Sequence, residues 1–309
     1  MLPEEPAGAR QSLELRDAKY KGGTAYLAVP LFFAAAVSAD QPPNPSIDCR
    51  SCVEWNISHA PFRIFGNTYY VGTDGLSVIL IDSGDGLVLL DGALPQSVPL
   101  VIKNMKALGF AIEDVKLIAL SHAHYDHAGG IAALQRLSGA RVVTSRHAAE
   151  TLSRGDLLED DPQYGGDTTA FPAVNGAEIV EDGGSVEIGD IAFTAVYTPG
   201  HTPGGLSWTW RNCVASDCRQ LVYADSVGAV AGNTYRYSDG AAEQVRASAA
   251  AIAGLDCDIL LSPHPFLFRM HEKLEQGGDA FIDGGECRSY AETALEGLER
   301  RLARESDSE

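Results

Sequence analysis

Directly after an apolar run, Val115 to Leu120, the chain reads Ser121-His122-Ala123-His124-Tyr125-Asp126-His127-Ala128-Gly129. Three histidines and a carboxylate within six residues are nitrogen and oxygen donors of the kind that suit zinc. The local pattern places them on a strand-to-helix turn, where alternate residues can face one pocket. Two more histidines stand on turns of the same type. His201 lies in Thr198-Pro199-Gly200-His201-Thr202-Pro203-Gly204-Gly205, after a strand-like run ending at Tyr197, and His264 lies in Ser262-Pro263-His264-Pro265, after one ending at Leu261. Sites in α/β proteins gather at such strand ends. The remaining three of the eight histidines, His59, His147 and His271, lack this setting and read as surface or packing residues.

The elements that must carry these turns follow from apolar spacing and turn residues. Phe62 to Phe65, Thr68 to Val71, Ser77 to Ile81 and Leu87 to Leu90 are β-rich runs separated by Gly66-Asn67, Thr73-Asp74-Gly75 and Ser83-Gly84-Asp85-Gly86, the pattern of an antiparallel meander. Val98 to Leu108 has helical spacing, Val115 to Leu120 is a buried strand, Ile131 to Leu137 a helix and Val142 to Thr144 a strand. The second half repeats the theme, with strands at Ser185 to Ile188, Ile191 to Tyr197, Leu206 to Trp210, Leu221 to Tyr223 and Ile259 to Leu261, and a helix over Ala241 to Ala253. This predicts an α/β domain whose halves each pair a sheet with helices. Gly155 to Asn175, rich in acids, Gly and Pro, reads as a functional loop.

Composition narrows the chemistry. With 42 Asp and Glu against 23 Lys and Arg, the 309-residue chain carries a formal charge of −19, which repels a phosphate backbone and argues against nucleic acid as a partner. The one long apolar run, Ala25 to Val37, is too short to span a bilayer and contains Pro30, so no membrane anchor is expected. Arg10, Arg16, Lys19 and Lys21 precede it and Val37-Ser38-Ala39 closes it with small residues, the layout of a secretory signal peptide cleaved after Ala39. The expected organisation is a signal peptide over residues 1–39 and a single domain over 40–309, in the periplasm or secreted. In an oxidising compartment six cysteines are first read as disulfides. They fall as Cys49/Cys52, Cys213/Cys218 and Cys257/Cys287, one arrangement among the 15 pairings six cysteines allow.

His122-x-His124-x-Asp126-His127, followed by His201 and His264, resembles the metallo-β-lactamase superfamily across nearly the whole mature chain, whose fold is a four-layer αβ/βα sandwich with a two-metal site between the sheets. His122 in first position, Ser226 in Tyr223-Ala224-Asp225-Ser226, the Ser262-Pro263-His264-Pro265 turn, the Cys257/Cys287 pair and the Cys213/Cys218 loop resemble subclass B3. So do Trp55, the segment Asn67 to Gly72 and the run Gly204-Gly205-Leu206-Ser207-Trp208-Thr209-Trp210.

The resemblance implies two zinc ions, one held by His122, His124 and His201 and the other by Asp126, His127 and His264. It implies a bacterial monomer that opens the β-lactam ring of penicillins, cephalosporins and carbapenems with a metal-bound hydroxide. Asp126 then also orients the hydroxide, Ser226 hydrogen-bonds a bound water, and Trp55, Gln163, Tyr164 and Phe171 line or overhang a shallow cleft. Gly228 departs from the pattern, since relatives often carry a hydroxyl residue there to anchor the substrate carboxylate. The rival is another hydrolase of the superfamily, a glyoxalase II-like thioesterase or a lactonase, with Asp225 bridging the metals. A non-catalytic secreted zinc-binding protein is the alternative outside enzymes.

Overall fold

Runs such as Ile79-Leu80-Ile81 and Leu87-Val88-Leu89-Leu90 have no polar face, so a sheet made from them must be covered on both sides. The computed structural model, which describes residues 44–232 and 234–307, shows how. One sheet has seven strands in sequence order: β1 (Phe62–Phe65), β2 (Thr68–Tyr70), β3 (Ile79–Asp82), β4 (Leu87–Leu90), β5 (Val115–Ala119), β6 (Arg141–Thr144) and β7 (Glu178–Ile179). The first four form the antiparallel meander and β4 to β7 run parallel. The other sheet holds β8 (Ser185–Ile188), β9 (Ile191–Tyr197), β10 (Leu206–Val214), β11 (Asp217–Tyr223) and β12 (Ile259–Leu261), in spatial order β12-β11-β10-β9-β8. Only β11 and β12 pair in parallel.

The two-residue period of a strand sorts the side chains between layers. Ile79, Ile81, Val88, Leu90, Leu117 and Ala119 join Phe193, Leu206, Trp208, Trp210 and Tyr223 in the core between the sheets. Their neighbours Leu80, Leu89, Ile118 and Leu120 face the helices. On that side lie α1 (Cys52–Trp55), α2 (Val98–Ala107), α3 (Tyr125–Ala128), α4 (Ile131–Ser138) and α5 (Arg146–Arg154), of which α2, α4 and α5 contribute Val101, Met105, Ile131, Leu134 and Leu152. The remaining helices are α6 (Ala241–Ala253), α7 (Met270–Gln276) and α8 (Glu286–Ser306). Ile252 of α6 and Tyr290 of α8 pack with Val222 and Leu260 of the five-stranded sheet. The result is the expected four-layer αβ/βα sandwich.

Several elements differ from the sequence expectation for local reasons. The β10–β11 hairpin extends through polar Arg211 and Asn212, because backbone pairing continues to the Cys213–Cys218 bridge at its tip. Helix α5 carries little apolar sequence and is set by its ends: the Ser145 hydroxyl accepts from the Ala148 N–H, and Gly155 ends it with φ of 71°. Cys287 lies inside the first turn of α8, and Cys52 begins a one-turn helix. All three cysteine pairs are bridged as Cys49–Cys52, Cys213–Cys218 and Cys257–Cys287. Gly155 to Asn175 is a loop beyond the end of α5. No helix among the described residues is long and apolar enough to cross a membrane. The expected signal peptide lies outside the described residues.

Candidate metal centre

The site forms where the C-terminal ends of β4, β5, β9, β11 and β12 meet. His122 and His124 occupy the turn after β5, Asp126 and His127 the single turn of α3, His201 the β9–β10 loop, and His264 the turn after β12. The turn after β5 is fastened from several sides. Its Ser121 carbonyl accepts from the Leu206 N–H at 2.9 Å, and the Trp208 indole donates to the Leu120 carbonyl at 3.1 Å. Asp91, fully buried after β4, accepts from the Ser121 N–H (2.7 Å), the Ser121 hydroxyl (2.8 Å) and the Tyr223 hydroxyl (2.7 Å). Asp91 takes a left-handed backbone, φ 62°, which costs energy for a side chain of this kind and is held only because the surroundings fix it.

Two groups of donors result, each with ligand atoms within 4.8 Å of one another: His122, His124 and His201, and Asp126, His127 and His264. The groups adjoin, the His122 and His127 ring centroids being 4.5 Å apart. A histidine ligates through one ring nitrogen when the other holds a proton donated outward, and four of the five rings show this arrangement. His122 Nδ1 donates to Asp225 Oδ1 at 2.7 Å, His124 Nε2 to the Asp161 carboxylate at 3.2 Å, His201 Nδ1 to the Gly228 carbonyl at 2.9 Å and His264 Nδ1 to the Gly75 carbonyl at 3.1 Å. His122 Nε2 is thereby left buried without any hydrogen-bond partner. Such an orphan is costly unless something fills the space in front of it, and five imidazoles with one carboxylate are a zinc-type donor set.

At His122, His201 and Asp126 the electrostatics agree with that fit. Burial, followed by the charges of His127 and His124, holds His122 well below the usual histidine range, and burial with the same kind of neighbours does so for His201; a neutral imidazole is the form that ligates. Burial alone would raise Asp126, but His127 and His264 hold it well below the carboxylate range. The Asp126 carboxylate lies 3.2 Å from His127 Nε2 and 3.4 Å from His264 Nε2. Burial pushes Asp225 up to about 8 and Asp91 up to about 6. Positive charge held beyond the histidines would bring both back down.

In front of the donors opens a cavity of about 810 Å³, lined at its mouth by Trp55, Gln163, Ser226, Gly228 and Phe266 and continuing to Tyr290 and Thr293 of α8. Trp55 packs on His264 with centroids 5.3 Å apart. Tyr164 is 43% exposed and outside the cavity lining, and Phe171 is buried in the helix-side core, because the loop folds back where the Phe171 N–H bonds the Gly155 carbonyl. His147 sits apart, 3.0 Å from Asp160. Sequence reasoning missed Asp91 and Asp161, and with them the outward partners in Asp225, Gly228 and Gly75. An acid in a loop already suspected of function was the only signal for Asp161, and backbone carbonyls give none.

The metallo-beta-lactamase superfamily model matches residues 66–264, more than half of the chain and all six central donors. The chain belongs to the metallo-beta-lactamase superfamily. Several of its structural neighbours are described as subclass B3 metallo-beta-lactamases. It is 46% identical to the Rm3 metallo-beta-lactamase, with a TM-score of 0.81 over 84% of this chain and all of that one. It is equally identical to MEM-A1, a subclass B3 metallo-beta-lactamase from a soil metagenome library, with a TM-score of 0.78 over 82% of this chain and all of that one. Among curated relatives, an acyl-coenzyme A thioesterase of Homo sapiens is 28% identical over 48% of this chain and 53% of its own length. The chain spans between about half and two thirds of the first curated relatives it matches.

Proposed function

We propose that the protein is an exported dizinc β-lactamase with the ligand sets His122, His124, His201 and Asp126, His127, His264. When bound, zinc supplies the acidity that makes water a nucleophile at neutral pH and the charge that polarises an amide carbonyl. Asp126 then serves as the acceptor that orients the attacking water. Ser226 and Gln163 offer polar contacts at the cavity mouth, and Trp55 gives the substrate an apolar wall. The cavity's extension toward α8 provides room for the side chain of a bulky lactam.

The observation that carries this reading is the position of Asp225. Its Oδ1 is engaged by His122 Nδ1, and Gly205 lies so close behind it that a Cβ there would stand 2.5 Å from Asp225 Oδ2. The Asp225 backbone is anchored as well, the N–H donating to the Ser207 hydroxyl and the carbonyl accepting from the Tyr290 hydroxyl. An aspartate whose Oδ1 serves His122 in this way supports a ligand, whereas a thioesterase or lactonase of the fold would need it to bridge two metals. The likeness to metallo-beta-lactamases, one of them of subclass B3, over more than four fifths of this chain and all of theirs supports the same reading. The thioesterase alternative keeps one observation in its favour, the curated relatives with that activity. The decisive assay compares a carbapenem and a chromogenic cephalosporin with thioester and lactone substrates, with and without a chelator. Chelator-sensitive β-lactam turnover is expected; faster hydrolysis of thioesters or lactones than of any β-lactam would overturn the proposal.

Export and a boundary after Ala39 form part of the proposal, supported by three bridged cysteine pairs, which persist in oxidising compartments. The mature protein should weigh about six mass units less than its reduced form, one hydrogen lost per cysteine.

A further inference from the structure

Among the described residues a third group of donors lies outside the central site. His59, in the segment before β1, Asp74, in the β2–β3 turn, and His271, on α7, bring their ligand atoms within 4.8 Å of one another. We propose that these three residues form a separate binding site for a divalent transition cation of the zinc type. None of the three is a donor of the central site.

Three features of the group go beyond proximity. His59 Nδ1 lies 2.7 Å from the Ala60 carbonyl; a carbonyl oxygen only accepts, so Nδ1 carries the proton and Nε2 presents its lone pair. Four of the five central histidines likewise give one ring N–H to an outer acceptor. The His59 ring is also held in place, edge-on to Tyr70 at 5.7 Å and to Phe62 at 5.9 Å, while its backbone carbonyl accepts from Asn104 at 3.1 Å.

Asp74 is brought to the ring by chain contacts independent of any ion. Its N–H donates to the Ile57 carbonyl at 2.8 Å, and the neighbouring Thr73 hydroxyl donates to the Trp55 carbonyl at 2.6 Å. The turn is thus tied to the segment that carries His59. His271 Nε2 stands 3.8 Å from Asp74 Oδ1, too far for a good hydrogen bond. Two zinc ligands at about 2.0–2.2 Å in tetrahedral geometry stand about 3.3–3.6 Å apart, so a small closure would let one ion bond both. The side chains of Asp74 and His271 are 40% and 48% exposed, which gives an ion access and leaves a coordination position to water. With only three protein ligands and two of them exposed, affinity should fall below that of the central pair.

The test uses the zinc-loaded protein, titrated with further zinc against a colorimetric indicator and compared with H59A and H271A. A third equivalent, weaker than the first two, is expected in the parent. Each variant should weaken it at least about tenfold, the scale on which lesser changes around a metal already act, while keeping the first two. Because His271 is exposed, H271A tests the site without disturbing the core, and D74N supplies a second variant with the backbone contacts intact. Anomalous diffraction at the zinc edge should place the third ion between the three side chains. A parent that takes no third equivalent, a third equivalent unchanged in H271A and D74N, or anomalous density elsewhere would overturn the proposal.

Discussion

The central donors and the outlying trio of His59, Asp74 and His271 use the same chemical groups and differ in what stands behind them. In the centre, His122, His124, His201 and His264 each give their outward N–H to a fixed acceptor, and five of the six donor residues are buried. In the trio only His59 has such a partner, and His271 projects from the exposed side of a short helix. Preorganisation accounts for the difference: a ring already turned to its metal loses no rotamer freedom on binding, and a buried lone pair has no water to give up. The fold thus builds the central donor groups from strand ends locked by outer partners, whereas the surface supplies a looser, more accessible group.

The largest expected effect breaks the centre directly. H122A removes the donor whose Nε2 is buried without a partner and should lower β-lactam turnover more than about 100-fold, beyond the range seen for outer partners, with zinc analysis showing a weakened first ion. H147A, which alters a histidine outside both groups, should change turnover little. Equal losses in the two variants would show that the ligands are misassigned.

Next come the outer partners themselves. D161A and D225N leave the donors in place but take away the carboxylates that orient His124 and His122. Each should cost about 10–100-fold in metal affinity or activity, read by competition with a chelator. Turnover and affinity unchanged in both would mean that the outer partners do not distinguish the centre from the trio.

A smaller change is expected at the cavity mouth. A Cβ at Gly228 would meet only Val230 Cγ2, at 3.9 Å, so a serine fits there without displacing anything. If the substrate carboxylate lies near this position, G228S should lower KM severalfold, the value of one hydrogen bond of about 0.5–1.5 kcal/mol, with kcat nearly unchanged. A raised KM would place the carboxylate elsewhere.

The smallest effect sharpens the comparison from the other side. H271A should leave β-lactam turnover within about twofold, the spread of surface substitutions worth up to about 0.5 kcal/mol, even as it weakens the third equivalent at least about tenfold. Loss of turnover comparable to that of D161A would join the trio to the catalytic machinery.

Most of the frame and all six central donors were legible in the chain itself. The helix over Ala241–Ala253 and the strands Ser185–Ile188, Ile191–Tyr197 and Ile259–Leu261 lie where their apolar spacing put them, because spacing of two or near four residues is a local property that burial then enforces. His122, His124, Asp126 and His127 stood out because one short turn carries them all. Helix α5 did not, since its sequence is mostly polar and its buried face is only Ala148, Thr151 and Leu152 between a Ser145 cap and Gly155.

What the sequence determined by itself was the donor set and the layers that carry it. Only the tertiary structure decided the outer partners, because Asp225 is 103 residues from His122 and Asp161 is 37 from His124. The same holds for the Gly75 and Gly228 carbonyls, backbone atoms that every residue possesses and no composition can single out. Tertiary structure also brought His59, Asp74 and His271 together. Each is unremarked along the chain, and their meeting depends on a β-turn and a helix packing against the segment before β1, a long-range arrangement with no local signature.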